Sequence, residues 1–202
     1  MSVAKIVSLL ILTGLSVLAG LFVANVSPFM TLSGRTTQPI GHYEFCLKNS
    51  SECSRNSSSD SPLSLSKEWW TTIHEVNAIV NTMVRPLNDI AMWGKEEVWS
   101  YPVGGMGDCE DYVLEKRRML LSKGLSASQL LSTVVRQTNG AGHAVLTVRT
   151  SAGDLILDNL ETRVLAWSDT DYQFLKRQSE RHAGIWLAIE HSTDIPVGSL
   201  RR

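Results

Sequence analysis

GGMGDCEDYVLEKRRMLLSKG, residues 104–124, is the stretch that orders the rest of the chain. Acids come first, with Asp108, Glu110 and Asp111, and the bases Lys116, Arg117, Arg118 and Lys123 trail. That polarity suits the helix dipole, whose N-terminal end favours negative charge and whose C-terminal end favours positive charge. Gly124 stands where a left-handed C-terminal cap is expected, so the pattern predicts a helix over 108–124. Ahead of it, Pro102 and the glycines at 104, 105 and 107 break any earlier pattern, and Cys109 falls in the first turn.

Downstream the hydrophobic period changes from helical to two. Residues 131–136, 143–150, 154–159 and 185–190 read as strands, with Ser151-Ala152-Gly153 as a hairpin turn. Upstream, Ser66 suits an N-cap for a helix over 66–84, in which Trp70, Ile73, Val76, Asn77, Val80 and Val84 recur at three- and four-residue spacing. Helices followed by an antiparallel sheet give an α+β fold, with the helices packed on the sheet.

The composition permits one domain and little else. The chain has 202 residues, 43% of them hydrophobic, with 19 Lys and Arg against 20 Asp and Glu. A core of ordinary size can be buried, and with no basic run there is nothing to neutralise a phosphate backbone, so a nucleic-acid partner is excluded. Residues 1–26, with Lys5 ahead of an apolar stretch, read as a signal peptide or an N-terminal anchor, and an exported, periplasmic or secreted protein is expected. Any membrane contact would run through that segment. Residues 27–66 read as an exposed segment rich in Ser and Pro, followed by a domain over 67–195. No heptad pattern forces a dimer, so a monomer is expected.

The chain has three cysteines, an odd number. In an oxidising compartment Cys46 and Cys53, seven positions apart, are expected to pair. Cys109 is then left over at a helix N-terminus, where backbone N–H groups favour a thiolate and could donate to an oxyanion. A nucleophile needs a base, and His143, in Gly142-His143-Ala144-Val145-Leu146, is the best candidate. It opens a strand on the side away from Ala144, Leu146 and Val148. His42, His74, His182 and His191 have no such setting. Asp158, amid apolar residues in the next strand, could hold an imidazole in one tautomer. Two- and three-residue turns at 151–153 both leave it offset from His143, and Asn159, Asp154 and Glu161 fit the periodicity as well.

Gly107-Asp108-Cys109-Glu110-Asp111-Tyr112, followed by Gly142-His143-Ala144-Val145-Leu146 and Leu157-Asp158-Asn159-Leu160, resembles the bacterial transglutaminase-like cysteine proteinases over roughly residues 93–178. The resemblance implies a papain-like, transglutaminase-like α+β fold and a Cys-His-Asp triad at Cys109, His143 and Asp158. It also implies calcium on Asp108, Glu110 and Asp111, a protein substrate of the surface-adhesin type, and an inner-membrane receptor that restrains the enzyme. Three carboxylates beside a helix start suit a hard cation; they also suit the dipole alone. The segment 41–46 and Cys53 do not map onto the adhesin-processing pattern. Two other readings remain open at this point, namely acyl transfer to an amine by the same triad, and a calcium-binding interaction domain without catalysis.

Overall fold

A computed structural model describes residues 27–56 and 61–190. In chain order these residues form β1 (Leu32–Thr36), α1 (Ile40–Lys48), a 3-10 turn (Ser50–Cys53), α2 (Lys67–Met83), β2 (Arg85–Pro86) and α3 (Asp89–Trp93). There follow β3 (Met106–Gly107), α4 (Cys109–Ser122), β4 (Leu130–Arg136), β5 (Gly142–Thr150), β6 (Gly153–Leu157), β7 (Leu165–Ala166), β8 (Gln173–Ser179) and β9 (His182–Ile189). Seven strands make one antiparallel sheet in the order β1-β9-β8-β4-β5-β6-β7, and β2 and β3 form a small parallel pair beside it. The α+β expectation holds.

Both expected helices form, and for the expected reasons. Ser66 Oγ accepts the Trp69 N–H at 3.1 Å, and α2 buries Ile73, Val76, Asn77 and Val80. Trp70 points outward instead, its ring 4.5 Å from that of His74. At the end of α4, Gly124 has φ +106°, and the paired bonds Leu125 N–H to Leu120 O and Gly124 N–H to Leu121 O close a Schellman cap. α2 and α4 lie on one sheet face, where Tyr112, Val113 and Leu120 meet Leu130, Ala144, Leu146, Val148, Leu155 and Leu157. The opposite face carries a second core of Met30, Val135, Val145, Ile156, Trp167, Phe174 and Ile189.

The hairpin between β5 and β6 turns on Ser151 and Ala152, with Thr150 opposite Gly153 and the ladder ending at Leu146 opposite Leu157. Asp158 follows directly, on the face of Val145 and diagonal to His143. A diagonal pair on one face is within reach of long side chains.

The described part of residues 27–66 is largely exposed, as expected, but it is packed onto the domain rather than standing ahead of it. β1 pairs with β9, and α1 buries Gly41, His42 and Phe45. Phe45 and Cys53 share a core with Trp99, Leu114 and Trp186, while Leu63 joins the helical core. Apolar residues spaced along a Ser-rich stretch bury surface that the composition hides. The Cys46–Cys53 disulfide is present as expected. It closes the loop that carries Glu52, whose Oε2 accepts from Tyr101 Oη at 2.5 Å and from the buried Arg117 Nη1 at 3.5 Å. The segment 1–26 lies outside the described residues, as do His191 and the end of the expected domain; no described helix is long and apolar enough to cross a membrane.

Two outcomes follow from the α1 side of the fold. Replacing Cys46 and Cys53 by Ser should lower unfolding free energy by about 2 kcal/mol, read as a lower urea midpoint at unchanged slope. His42 is held down to about 4, first by burial and then by the charge of Arg117. A histidine so depressed contributes stability that is fully present above its unfolded value of 6.5 and is lost as pH falls toward about 4. Denaturant midpoints should therefore drop across that window, and His42→Gln should remove much of the drop.

Candidate active site

Cys109 stands at the first position of α4, with Asp108 as N-cap residue. The glycines before it do structural work. Gly104 and Gly105, at φ +60° and +72°, make the turn that bridges Val103 to Met106. At Gly107 a Cβ would fall 2.6 Å from the Asp111 carboxylate, so the missing side chain makes room for Asp111 rather than for a substrate backbone. With Gly107 fitted against it, Asp111 reaches back, and its Oδ1 accepts from the Ser100 N–H at 2.8 Å and from Ser100 Oγ at 3.3 Å.

His143 enters from β5, on the sheet face opposite to the one against which α4 packs. Its Nε2 is 2.8 Å from Asp158 Oδ1, and both side chains are buried. Oδ1 also accepts the Leu160 N–H at 3.0 Å, and Oδ2 accepts from Tyr172 Oη at 2.5 Å. Burial alone would push Asp158 up, but the His143 contact, the Leu160 N–H and the Tyr172 hydroxyl together hold it below the ordinary carboxylate value. The other acids that fit the periodicity are engaged elsewhere. Asp154 Oδ2 accepts the Met30 N–H at 2.9 Å, and Glu161 binds Arg163. Asn159 makes no contact with His143, and its Oδ1 is buried without a partner.

Cys109 and His143 line one cleft of about 410 Å³ with Pro39, Glu97, Trp99, Glu110, Gly142 and Lys176 among its walls. His143 Nδ1 has no partner among the described residues. The Cys109 thiol does not reach it; Sγ donates to Glu110 Oε2 at 2.9 Å. Burial and then Glu110 push the thiol well above its ordinary value, against the N–H of Ala144, which favours the thiolate. The pull of the helix N-terminus toward the thiolate is outweighed in this arrangement by burial and the adjoining carboxylate.

The expected cation ligands divide. Asp108 and Asp111 gather with Asp89, a residue that sequence reasoning missed, so that one carboxylate oxygen from each lies within 4.8 Å of the others. Asp89 Oδ1, Asp108 Oδ1 and Asp111 Oδ2 are all buried without hydrogen-bond partners. Glu110 stays outside this trio, where its charge acts on Asp108 and its Oε2 accepts from the thiol. Burial, followed by the neighbouring carboxylates, pushes Asp108 up to about 8; burial also leads the rise of Asp111 to about 7. Three carboxylates this close together, each with a buried oxygen that lacks a partner, fit a hard divalent cation. Asp89 gave one faint signal in the sequence, as an acid directly after Asn88, a helix-capping residue type.

Comparison with known proteins shows the family and the fold. Residues 32–194 match the family of bacterial transglutaminase-like cysteine proteinases, a span that takes in α1 and the disulfide loop. The chain is similar to the solved structure of calcium-bound LapG from Legionella pneumophila, at 26% identity and a TM-score of 0.52, over 62% of this chain and 73% of that one. LapG from the same organism matches at 29% identity and a TM-score of 0.50, over 59% and 68%. Its EGTA-treated form matches at 28% and 0.50, over 63% and 74%. No curated protein sequence matches the chain. The chain belongs to the bacterial transglutaminase-like cysteine proteinase family, and it is a cysteine peptidase of α+β, transglutaminase-like fold.

Proposed function

We propose that the chain is an exported, calcium-dependent endopeptidase that works through Cys109, His143 and Asp158. One observation carries the reading: the buried contact between His143 Nε2 and Asp158 Oδ1 at 2.8 Å, with His143 on the same cleft as Cys109. With Nε2 engaged, Nδ1 is the nitrogen left to take the thiol proton. Cys109 Sγ then attacks the peptide carbonyl, and His143 passes the proton to the leaving amine. Water hydrolyses the thioester that remains. Asp158 keeps the ring in one tautomer and offsets the imidazolium charge. Before attack the thiol must turn from Glu110 to His143.

The reading includes a calcium site on Asp89, Asp108 and Asp111, with Glu110 beside it. The three orphaned oxygens support it, and so does the likeness to LapG in calcium-bound and EGTA-treated forms. A calcium ion held there supplies positive charge that offsets the carboxylates crowding the thiol. The substrate is proposed to be a surface protein of the adhesin type, met in the periplasm or outside the cell by a monomeric enzyme under the restraint of an inner-membrane receptor. Membership of a peptidase family removes the purely non-catalytic reading. Acyl transfer would show as amine incorporated into products, and hydrolysis as free carboxylate.

Iodoacetamide labelling of the calcium-loaded protein tests the triad without a known substrate. Modification should be confined to Cys109, abolished in Cys109→Ala, and slowed in His143→Ala; Asp158→Asn should lower peptide turnover about a thousandfold or more. Labelling indifferent to His143→Ala would sink the triad. For the metal, calorimetry should find calcium binding weakened about tenfold or more in Asp89→Asn. Unchanged affinity there, with loss in Glu110→Gln, would return the ligand set to Asp108, Glu110 and Asp111.

A further inference from the structure

Asp158 begins where the β5–β6 ladder ends, so strand pairing does not fix its aim. Its backbone carbonyl has no strand partner and is met by Asn81 Nδ2 from α2 at 2.8 Å. One turn earlier on the same helix, Asn77 Nδ2 donates to the Thr162 carbonyl at 3.2 Å. Asn77 is wholly buried among Ile73, Val76 and Val80, where an apolar residue would pack at less cost. The Oδ1 atoms of both asparagines are buried without partners, so the amides are only half used. What the two side chains accomplish is to grip the loop over residues 158–162 at two points.

The carboxylate itself could still rotate. Oδ1 is shared by His143 and the Leu160 N–H, and the single bond shown on Oδ2 comes from Tyr172. The Tyr172 ring also lies 5.6 Å from the His143 ring, centre to centre. Beyond it, Tyr172 and Asp158 border a second cavity of about 280 Å³, lined also by Gln137, Leu160 and Asp171. A carboxylate that lost the hydroxyl would face that cavity and be free to turn Oδ1 away from Nε2.

We propose that Tyr172 and Asn81 are positioning residues of the peptidase reaction, Tyr172 fixing the Asp158 carboxylate through its hydroxyl and Asn81 fixing the Asp158 backbone through its amide. The inference rests on the triad reading above and assigns what aims its third member. The ionisable groups facing Asp158 are His143 from β5, Lys116 from α4 and Tyr172, while Glu161 and Asp171 act on Tyr172. The Tyr172 hydroxyl favours the ionised carboxylate, so its removal raises Asp158 toward the ordinary value. The acid limb of any rate that needs this carboxylate charged then moves to higher pH.

The test uses the full chain with calcium and measures the rate of Cys109 alkylation by iodoacetamide across acid to alkaline pH, beside the melting temperature. The variants are Tyr172→Phe, which keeps the ring, and Asn81→Ala, which removes the donor without setting a carboxylate against the Asp158 carbonyl; wild type and His143→Ala are the references. Both variants should melt close to wild type and react about ten- to a hundredfold more slowly near neutrality, and Tyr172→Phe should displace the acid limb upward. A His143-dependent wild type with an unchanged profile in Tyr172→Phe overturns this inference and leaves the triad standing. A lower melting temperature with an unchanged profile reduces Tyr172 to a packing role and overturns it equally. A wild type indifferent to His143→Ala removes the triad and this inference together.

Discussion

A carboxylate shut away from water beside an imidazole is tolerated only where its lone pairs find donors and its neighbours hold still. Asp158 meets that condition with contacts drawn from β5, α2, its own turn and the approach to β8. Each donor belongs to a different piece of the fold. The α2 helix must pack against α4 for Asn81 to arrive, and β8 must pair with β4 for Tyr172 to arrive. The geometry at His143 thus depends on the whole sheet and on the helical layer above it.

At the neighbouring end of the cleft the electrostatics are less settled. Four carboxylates, from Asp89, Asp108, Glu110 and Asp111, crowd the first turn of α4, and burial pushes each of them up. Asp89 also holds the Val98 N–H at 2.5 Å through Oδ2. The same loop brings Glu97 and Trp99 to the cleft wall, with Glu97 at φ +59°. Non-glycine residues rarely adopt that conformation unless their surroundings impose it. Acid cluster, loop and thiol are therefore mechanically joined: the residue that contributes one orphaned oxygen to the cluster also anchors the wall facing Cys109.

Much of this was legible in the residues, and the illegible parts have physical reasons. The charge gradient along 108–124 and the apolar spacing along 66–84 gave helices whose caps match to within a residue or two. β4, β5, β6 and β9 carry enough apolar and β-branched residues to be read as strands. β8 is harder to read, because its buried positions include Arg177 and Gln178, whose side chains meet Glu180 in the first case and Ser132, Ala183 and His42 in the second. β1 is a short edge strand with a glycine in it and almost no buried residue. His42 looked featureless because two of its partners, Gln178 and Trp186, lie more than a hundred residues away, while the nearby ones, Gln38 and Cys46, show no periodic signal. Cys109, His143 and Asp158 were each singled out in the sequence, but the contact of His143 with Asp158 depends on a hairpin that turns on Ser151 and Ala152, a register that periodicity left open.

The strand order has a consequence for when the cleft can exist. β1, near the start of the described chain, closes on β9 at its end, and the α1 side packs on Trp186 of β9. Lys176, on the cleft wall, comes from β8. A ribosome-bound chain that stops after Asp158 already carries Cys109, His143 and Asp158, yet it lacks the strands that hold α1, Trp99 and Tyr172 in place. Pairings of such long sequence separation form late and slowly. The order of synthesis thus delays the peptidase: its cutting groove is completed only after nearly the last residue of its sheet has been made.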